Sequence, residues 1–316
     1  MPDVTVVIPT HDRARLLVET LHSVLGQRGV DLEVLVVDDG STDGTSSAAR
    51  STSDPRVRVV RHERALGVSA ARNHGIEAAW GQWVAFLDDD DLWSPDKLAA
   101  QLSALGEDAR LWAATGAVSI DGSREVLAGE HPLPPQQMVT DLRRYNSVPV
   151  GASNVVAERA LLTRVGGFDP NMRHMSDWEM WIRLGAAGGL PAVVDRPLVG
   201  YRLHAQAATM DTALDPIEPL EEFDVIARRH AIPADRAAVW RWIAWTAMRR
   251  GHRGAAVRAY AGAVGDGDLR SLLRIGVALV HPGVGKRVFF RPFIRRGQDE
   301  AWLAEARDWL RDLASA

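Results

Sequence analysis

Along the first third of the chain the apolar positions change period repeatedly, and each change marks a strand giving way to a helix. Val4 to Pro9 is a continuous apolar run of strand length, after which Leu16, Leu17, Leu21, Val24 and Leu25 recur at the spacing of one helix face. Leu32 to Val37 predicts a second strand, Thr45 to Arg50 a short helix and Val57 to Val60 a third strand. Ser69 to Ala79 has the composition of a small-residue helix ending near Gly81, and Trp83 to Leu87 predicts a fourth strand. Strands alternating with helices predict an α/β fold: a mostly parallel sheet with right-handed crossovers and flanking helices, as in a nucleotide-binding half-sheet.

Further along, Leu111 to Ile120 predicts another strand, Asp121-Gly122 a turn, and Pro132, Pro134 and Pro135 an irregular connection. Periodicity fades from Thr209 to Pro219, which makes that stretch the expected linker. Beyond it Trp242, Trp245 and Met248 fall at helical spacing in an Ala- and Arg-rich background. The expected division is therefore an α/β domain over 1–210 and an α-helical C-terminal module over 211–316.

The chemistry is concentrated where two of the strands end. The fourth runs into Asp88-Asp89-Asp90-Asp91, and the second opens into Asp38-Asp39-Gly40-Ser41-Thr42-Asp43. Ligands of open α/β sheets bind outside the carboxyl ends of the strands, so two parallel strands would bring these clusters into one site. Hard oxygen donors suit Mg²⁺ or Mn²⁺, which keep positions open for phosphate oxygens, and a metal-diphosphate site is the chemical reading. The plainer alternative is a solvated acidic loop capping the next helix, because Ser94-Pro95 has the form of an N-cap followed by proline.

Composition narrows the classes. A chain of 316 residues with 46% hydrophobic content can bury a large core and a smaller second one. A net charge of -4 gives no electrostatic reason to expect nucleic acid. The lack of cysteine excludes a disulfide framework, a thiolate metal site and a cysteine nucleophile. No signal-peptide pattern opens the chain and no apolar run approaches the ~20 residues of a bilayer span, so a cytoplasmic protein is expected. Between Val280 and Arg296, Lys286, Arg287, Arg291, Arg295 and Arg296 alternate with Phe289, Phe290 and Phe293. This mixture suits either an anionic membrane surface, giving peripheral contact through the C-terminal module, or an ordinary amphipathic helix.

Taken in order, Val6 to Arg13, Val36 to Asp43, Ala71-Arg72-Asn73, Phe86 to Asp91, Gly166 to Asp169 and Asp177-Trp178 resemble the family 2 glycosyltransferases of the GT-A fold. The resemblance covers roughly the first two thirds of the chain. It implies a Rossmann-like GT-A domain that transfers a sugar from a nucleotide-diphosphate sugar to an acceptor, with inversion at the anomeric carbon and with a divalent metal. A UDP-sugar is the first expectation for the donor, and a saccharide, lipid-linked, small-molecule or peptide acceptor remains open. The chain departs from the family pattern at His11-Asp12-Arg13 and at Ala65-Leu66-Gly67, both near the implied nucleotide pocket.

Residue by residue, the resemblance puts Pro9, Thr10, Asp12 and Asp39 at the nucleoside, with an Asp39 carboxylate accepting from a base N–H. Asp88 and Asp89 would lie at the ribose and diphosphate, and Asp90 would bind the Mn²⁺ or Mg²⁺. Arg72 would donate to the diphosphate, unless it forms a surface ion pair instead. Asp177 is the candidate base, or a helix cap beside Ser176, and Trp178 would shield it or stack on a sugar face. His204 would add a metal or diphosphate contact, or serve as a structural hydrogen-bonder. Two other readings stand beside these: a nucleotidyltransferase, disfavoured by the lack of a phosphate loop after the first strand, and a non-catalytic binding protein.

Overall fold

The computed structural model of the chain describes residues 1–203, 217–233, 235–249, 251–280 and 299–315. Strand β1 (Val4–Thr10) is buried along its whole length, because helices cover both of its faces. Val4, Val6 and Ile8 pack with Leu17, Leu21 and Val24 of α1 (Ala14–Leu25). On the other face α3 (Val68–Ala78) comes so close that a Cβ on Gly75 would stand 2.2 Å from Val7 Cγ1. Each Val or Ile buried in this way contributes on the order of 1.5–3 kcal/mol, which is why both periods were visible in the sequence.

Parallel neighbours flank β1 on both sides. β2 (Leu32–Asp38) pairs with Thr10 opposite Asp38, and β4 (Trp83–Phe86) pairs with Val7 opposite Phe86. β3 (Val57–Arg61) adds outside β2. The chain thus builds outward from β1 through β2, α2 (Thr45–Arg50) and β3, then returns by α3 to the far side of β1. That reversal opens a crevice at the carboxyl ends of β1, β2 and β4, and both aspartate clusters lie there. Beyond β4 the sheet continues through β8 (Val156–Glu158), β6 (Trp112–Ile120), β9 (Ala192–Arg202) and β5 (Leu92–Trp93), with β7 (Val126–Glu130) on β6. Its parallel character belongs mainly to the first half; the second half mixes the parallel pair β6–β9 with antiparallel ones.

Two local expectations change. Ser94 does not cap a helix: β5 pairs with β9, and the Ser94 N–H donates to Leu198 O, so α4 (Lys97–Asp108) starts only after Asp96. The proline-rich connection contains α5 (Pro135–Asp141), with proline at its first turn, where the missing N–H costs nothing.

The chain divides into two compact units, Met1–Leu203 with Arg296–Ala316, and His204–Arg295. This differs from a helical module spanning all of 211–316. Helices α8 (Ile217–His230), α9 (Arg236–Arg249), α10 (Arg253–Gly265) and α11 (Ser271–Val280) belong to the second unit. Within it, a Cβ on Gly262 would meet the Trp240 ring at 2.5 Å, and Trp240 Nε1 donates to Asp266. The last helix, α12 (Glu300–Ser315), instead returns to the first unit. Trp302, Ala306, Trp309 and Leu310 cover Leu92, Val118 and Ile120 of the sheet, and Trp309 Nε1 donates to Pro197 O at 2.9 Å. The expected linker lies outside the described residues up to 216, and Ile217 already starts α8.

Because α12 completes the core of the first unit, Trp309→Ala should lower its unfolding free energy by about 3–5 kcal/mol, the usual cost of deleting a buried aromatic. Urea denaturation followed by circular dichroism reads this directly.

Candidate active site

Four aspartates in succession leave β4, and their neighbours treat each differently. Asp91 is fully buried: Oδ2 accepts from Ser153 Oγ at 2.5 Å, Oδ1 from the Arg202 N–H at 2.9 Å, and its carbonyl from Thr20 Oγ1. Burial, then the charges of Asp90 and Asp88, push its carboxyl well above the ordinary range. Asp91 therefore fastens the run to α1 and β9. Asp90 accepts from Arg13 Nη1 at 2.8 Å, and its carbonyl accepts from Arg202 Nε at 2.9 Å. Asp88 accepts from Arg72 Nη2 at 2.6 Å, while its own N–H donates to Ser153 Oγ. Asp89 lies beside the Thr10 hydroxyl, and burial and Asp90 push it up to about 7.

Sequence reasoning named Arg72 but missed Arg13, Arg202 and Ser153. Arg202 also donates to Glu19 at 2.8 Å, and Arg124 does so at 3.3 Å. Burial works to raise the Glu19 carboxyl, but these two guanidiniums hold it below its usual value. Arg202 and Glu19 are 183 residues apart, so no local pattern in the chain announces the pair.

At the other cluster Asp39 is held by its own chain. Oδ1 accepts from the Leu66 N–H at 2.8 Å and from His62 Nδ1 at 2.7 Å, and Oδ2 accepts from the Gly67 N–H at 2.8 Å. His62 Nε2 lies 2.9 Å from His74 Nδ1 with the ring planes 9° apart. With His62 donating from Nδ1 to the carboxylate, one proton between His62 Nε2 and His74 Nδ1 makes the second bond. Asp12 is exposed and bonds to the 41–43 loop, accepting the N–H groups of Thr42 and Asp43, with its own backbone at φ 51°. Thr10 is buried and its carbonyl accepts the Asp39 N–H, while Pro9 lies in β1 opposite Val37. His11 Nδ1 donates to the Asp39 carbonyl.

Asp177 sits in the first turn of α7 (Ser176–Gly188). The N-cap position is Met175, and no side chain caps the helix; Asp177 Oδ1 accepts the Trp178 N–H at 2.7 Å and Oδ2 accepts from Asn146 Nδ2 at 3.0 Å. A Cβ on Gly151 would stand 2.4 Å from Asp177 Oδ2, so only glycine, at φ +67°, fits beneath the carboxylate. Burial raises the Asp177 carboxyl, the positive charge of Arg72 works against that rise, and Asp88 adds to it. Asp177 thus belongs to the same electrostatic site as the aspartate run. Trp178 does not face a sugar: its ring is in the core, with Nε1 donating to Leu142 O. Glu179 is equally occupied, gripping Arg183, which ties α7 to the carbonyls of Val165 and Gly167. Phe168 packs on Phe86 and under the Arg72 guanidinium, clamped by Asn73 on α3.

The donors at the end of β4 are all carboxylate oxygens, and Asp89 is raised partly because Asp90 and Asp88 repel it. An oxygen-only, negatively charged donor set fits Mg²⁺ or Mn²⁺. His204 lies outside the described residues.

The sequence profile of glycosyl transferase family 2 matches residues 5–165. The chain belongs to that family. It is 32% identical over 245 residues to the succinoglycan biosynthesis protein ExoO of Rhizobium meliloti, covering 73% of this chain and 70% of that protein. It is 28% identical over 190 residues to the Escherichia coli UDP-Glc:alpha-D-GlcNAc-diphosphoundecaprenol beta-1,3-glucosyltransferase WfgD, covering 60% of this chain and 72% of that one. Among solved structures it is similar to S. aureus TarS 1-349 in complex with UDP-GlcNAc, with a TM-score of 0.59 at 17% identity, over 91% of this chain and 90% of that one. The mannosyltransferase PcManGT of Pyrobaculum calidifontis, in complex with GDP-Man and Mn2+, aligns with a TM-score of 0.57 at 22% identity, over 99% of this chain and 86% of that one. The fold is accordingly GT-A, and this family 2 glycosyltransferase transfers sugar from a nucleotide sugar.

In the glycosyltransferase the bond from His62 to the Asp39 carboxylate should be worth about 1.5–3 kcal/mol, the range for hydrogen bonds to charged groups. His62→Phe should lose that stability, and His62→Asn, which keeps a donor near the place of Nδ1, should recover most of it. Chemical denaturation of the three proteins makes the comparison.

Proposed function

We propose that this glycosyltransferase inverts the anomeric carbon of a UDP-sugar in a single displacement, with Asp177 as the base and with the acceptor hydroxyl carried by a lipid-linked saccharide. The observation that carries the reading is that Asp177, Arg72 and Asp88 act on one another at the crevice where β1, β2 and β4 end. Acceptor counting at Asp39 supports a base with one N–H between two carbonyls. A carboxylate offers about four acceptor positions, and Asp39 has three filled, two on Oδ1 and one on Oδ2. Among the described residues one position on Oδ2 remains. Uracil and thymine each present a single N–H between two carbonyls and match it; guanine presents adjacent donors that need both oxygens. The name of the relative WfgD, with its UDP-Glc donor and diphosphoundecaprenol acceptor, supports the same reading. The enzyme would then work in the cytoplasm at a membrane surface.

In this mechanism Asp177 takes the proton of the acceptor hydroxyl as that oxygen attacks the anomeric carbon from the face opposite the diphosphate. The bond from carbon to the diphosphate oxygen breaks, and its electron pair leaves with the diphosphate. Burial raises the Asp177 carboxyl toward the working pH, which improves it as a base over an ordinary aspartate. Among the described residues Arg72 Nε has no partner, so the guanidinium that Asp88 orients keeps a donor for a phosphate oxygen. A divalent ion held by Asp90, with His204 as a further contact, would supply Lewis-acid stabilisation of the departing charge. Asp88 and Asp89 would meet the ribose and diphosphate, while Pro9, Thr10 and Asp12 shape the nucleoside end.

Asp177→Asn keeps the shape and the bond to the Trp178 amide while removing the base. Donor affinity by calorimetry should be nearly unchanged, while turnover falls about 10²- to 10⁴-fold. The sign of the pH effect follows from the raised carboxyl: activity should rise with pH through a value above the ordinary aspartate range, and that limb should vanish in the variant. Near-normal turnover would remove Asp177 from the mechanism.

Chelation provides a second check. UDP-sugar affinity of the wild type should fall on addition of EDTA and return with Mn²⁺, whereas Asp90→Ala should respond to neither. Equal affinities with and without metal in the wild type would leave the aspartate run without a metal.

A further inference from the structure

Helix α11 turns its leucines outward. Leu272, Leu273 and Leu279 are exposed by 57, 76 and 61%, and Leu269, one turn ahead of the helix, by 68%. With Gly276 they fall at the spacing of a single helix face, while Ser271 and Ala278 on the opposite face are buried. Single exposed leucines are ordinary on protein surfaces, but a continuous stripe marks an interaction site. No helix among the described residues is long and apolar enough to cross a membrane.

The sequence around the stripe says what kind of partner fits. From Leu269 to Gln298 the chain carries seven Lys and Arg and no Asp or Glu, against a net charge of -4 for the whole protein. The same stretch holds three of its six phenylalanines. A second copy of the chain would bring two such cationic stretches together, which like-charge repulsion opposes. Nucleic acid would use the cations and leave the leucines in water. An anionic bilayer satisfies both, since apolar side chains enter the boundary between headgroups and acyl chains while Lys and Arg meet the negative surface.

We propose that α11 is an interfacial docking surface for anionic lipid, its leucine stripe entering the bilayer and the cations that follow it in the sequence supplying the attraction. The leucine stripe and the composition of the sequence from Leu269 to Gln298 are independent of how the donor is bound.

The test is co-sedimentation of the full-length protein with vesicles of phosphatidylglycerol and phosphatidylcholine, and with vesicles of phosphatidylcholine alone. Binding should be confined to the anionic vesicles and should weaken roughly tenfold or more when salt is raised from about 0.1 to about 1 M, where the Debye length shrinks from ~10 to ~3 Å. Leu273→Glu combined with Leu279→Glu should lose binding by a similar factor with an unchanged melting temperature, and the gentler pair Leu272→Ser with Leu273→Ser should lose part of it. Equal binding to both vesicle types, or binding unaffected by either pair, overturns the proposal. So does a lower melting temperature in the serine pair, which would mean that the chain itself covers the stripe. A wild-type dimer that the glutamate pair converts to monomer would assign the face to a second copy.

Discussion

Burying carboxylates at the end of β4 is the constraint around which the first unit is arranged. An isolated buried carboxylate is costly, and Asp89 and Asp91 are more so because the neighbouring aspartates add to the burial that raises them. Asp91 is enclosed by one hydroxyl and one amide, Asp90 is faced by Arg13, and Asp88 by Arg72. These partners come from the N-cap of α1, from α3, β9 and the turn before β8, so satisfying the acidic run also fixes how those elements meet. Ser153 shows the economy of the arrangement: one hydroxyl donates to Asp91 and accepts from the Asp88 N–H.

The neutralisation is incomplete where chemistry is expected. Burial and the charge of Asp90 lift the Asp89 carboxyl to about 7, and Arg72 Nε has no partner among the described residues, so the crevice retains a carboxyl that changes charge near neutrality and a donor still to be used. Asp177 faces the same crevice from α7, over a glycine that leaves it room. Asp39 behaves differently, because two backbone amides and a histidine hold it rigidly and leave little acceptor capacity. Rigid positioning of this kind suits recognition, whereas the looser charge balance around Arg72 and Asp88 suits a diphosphate whose charge changes during reaction.

Periodicity and strand-end chemistry were legible because they are local. Val4 to Pro9, Leu32 to Val37 and Trp83 to Leu87 are buried on both faces, so their composition alone marks them as central strands, and the acidic runs that follow them must lie at one edge of a parallel sheet. The ordered motifs also sufficed for the family, since several spaced signals are much rarer than one.

Tertiary structure decided what depends on contacts between distant parts of the chain. Arg202 meets the aspartate run from 112 residues away, and His62 and His74 meet only because α3 packs beside the end of β3. The side chain of Trp178 was assigned to the site by its neighbour Asp177, yet adjacent helix positions point in different directions, and its indole is spent on Leu142. The return of α12 to the sheet was hidden for the same reason. Its apolar stripe says that the helix must cover something, but the partner, Leu92, Val118 and Ile120, is chosen by which sheet face the rest of the fold leaves bare. A sequence encodes which surfaces must be buried; only the assembled fold determines against what.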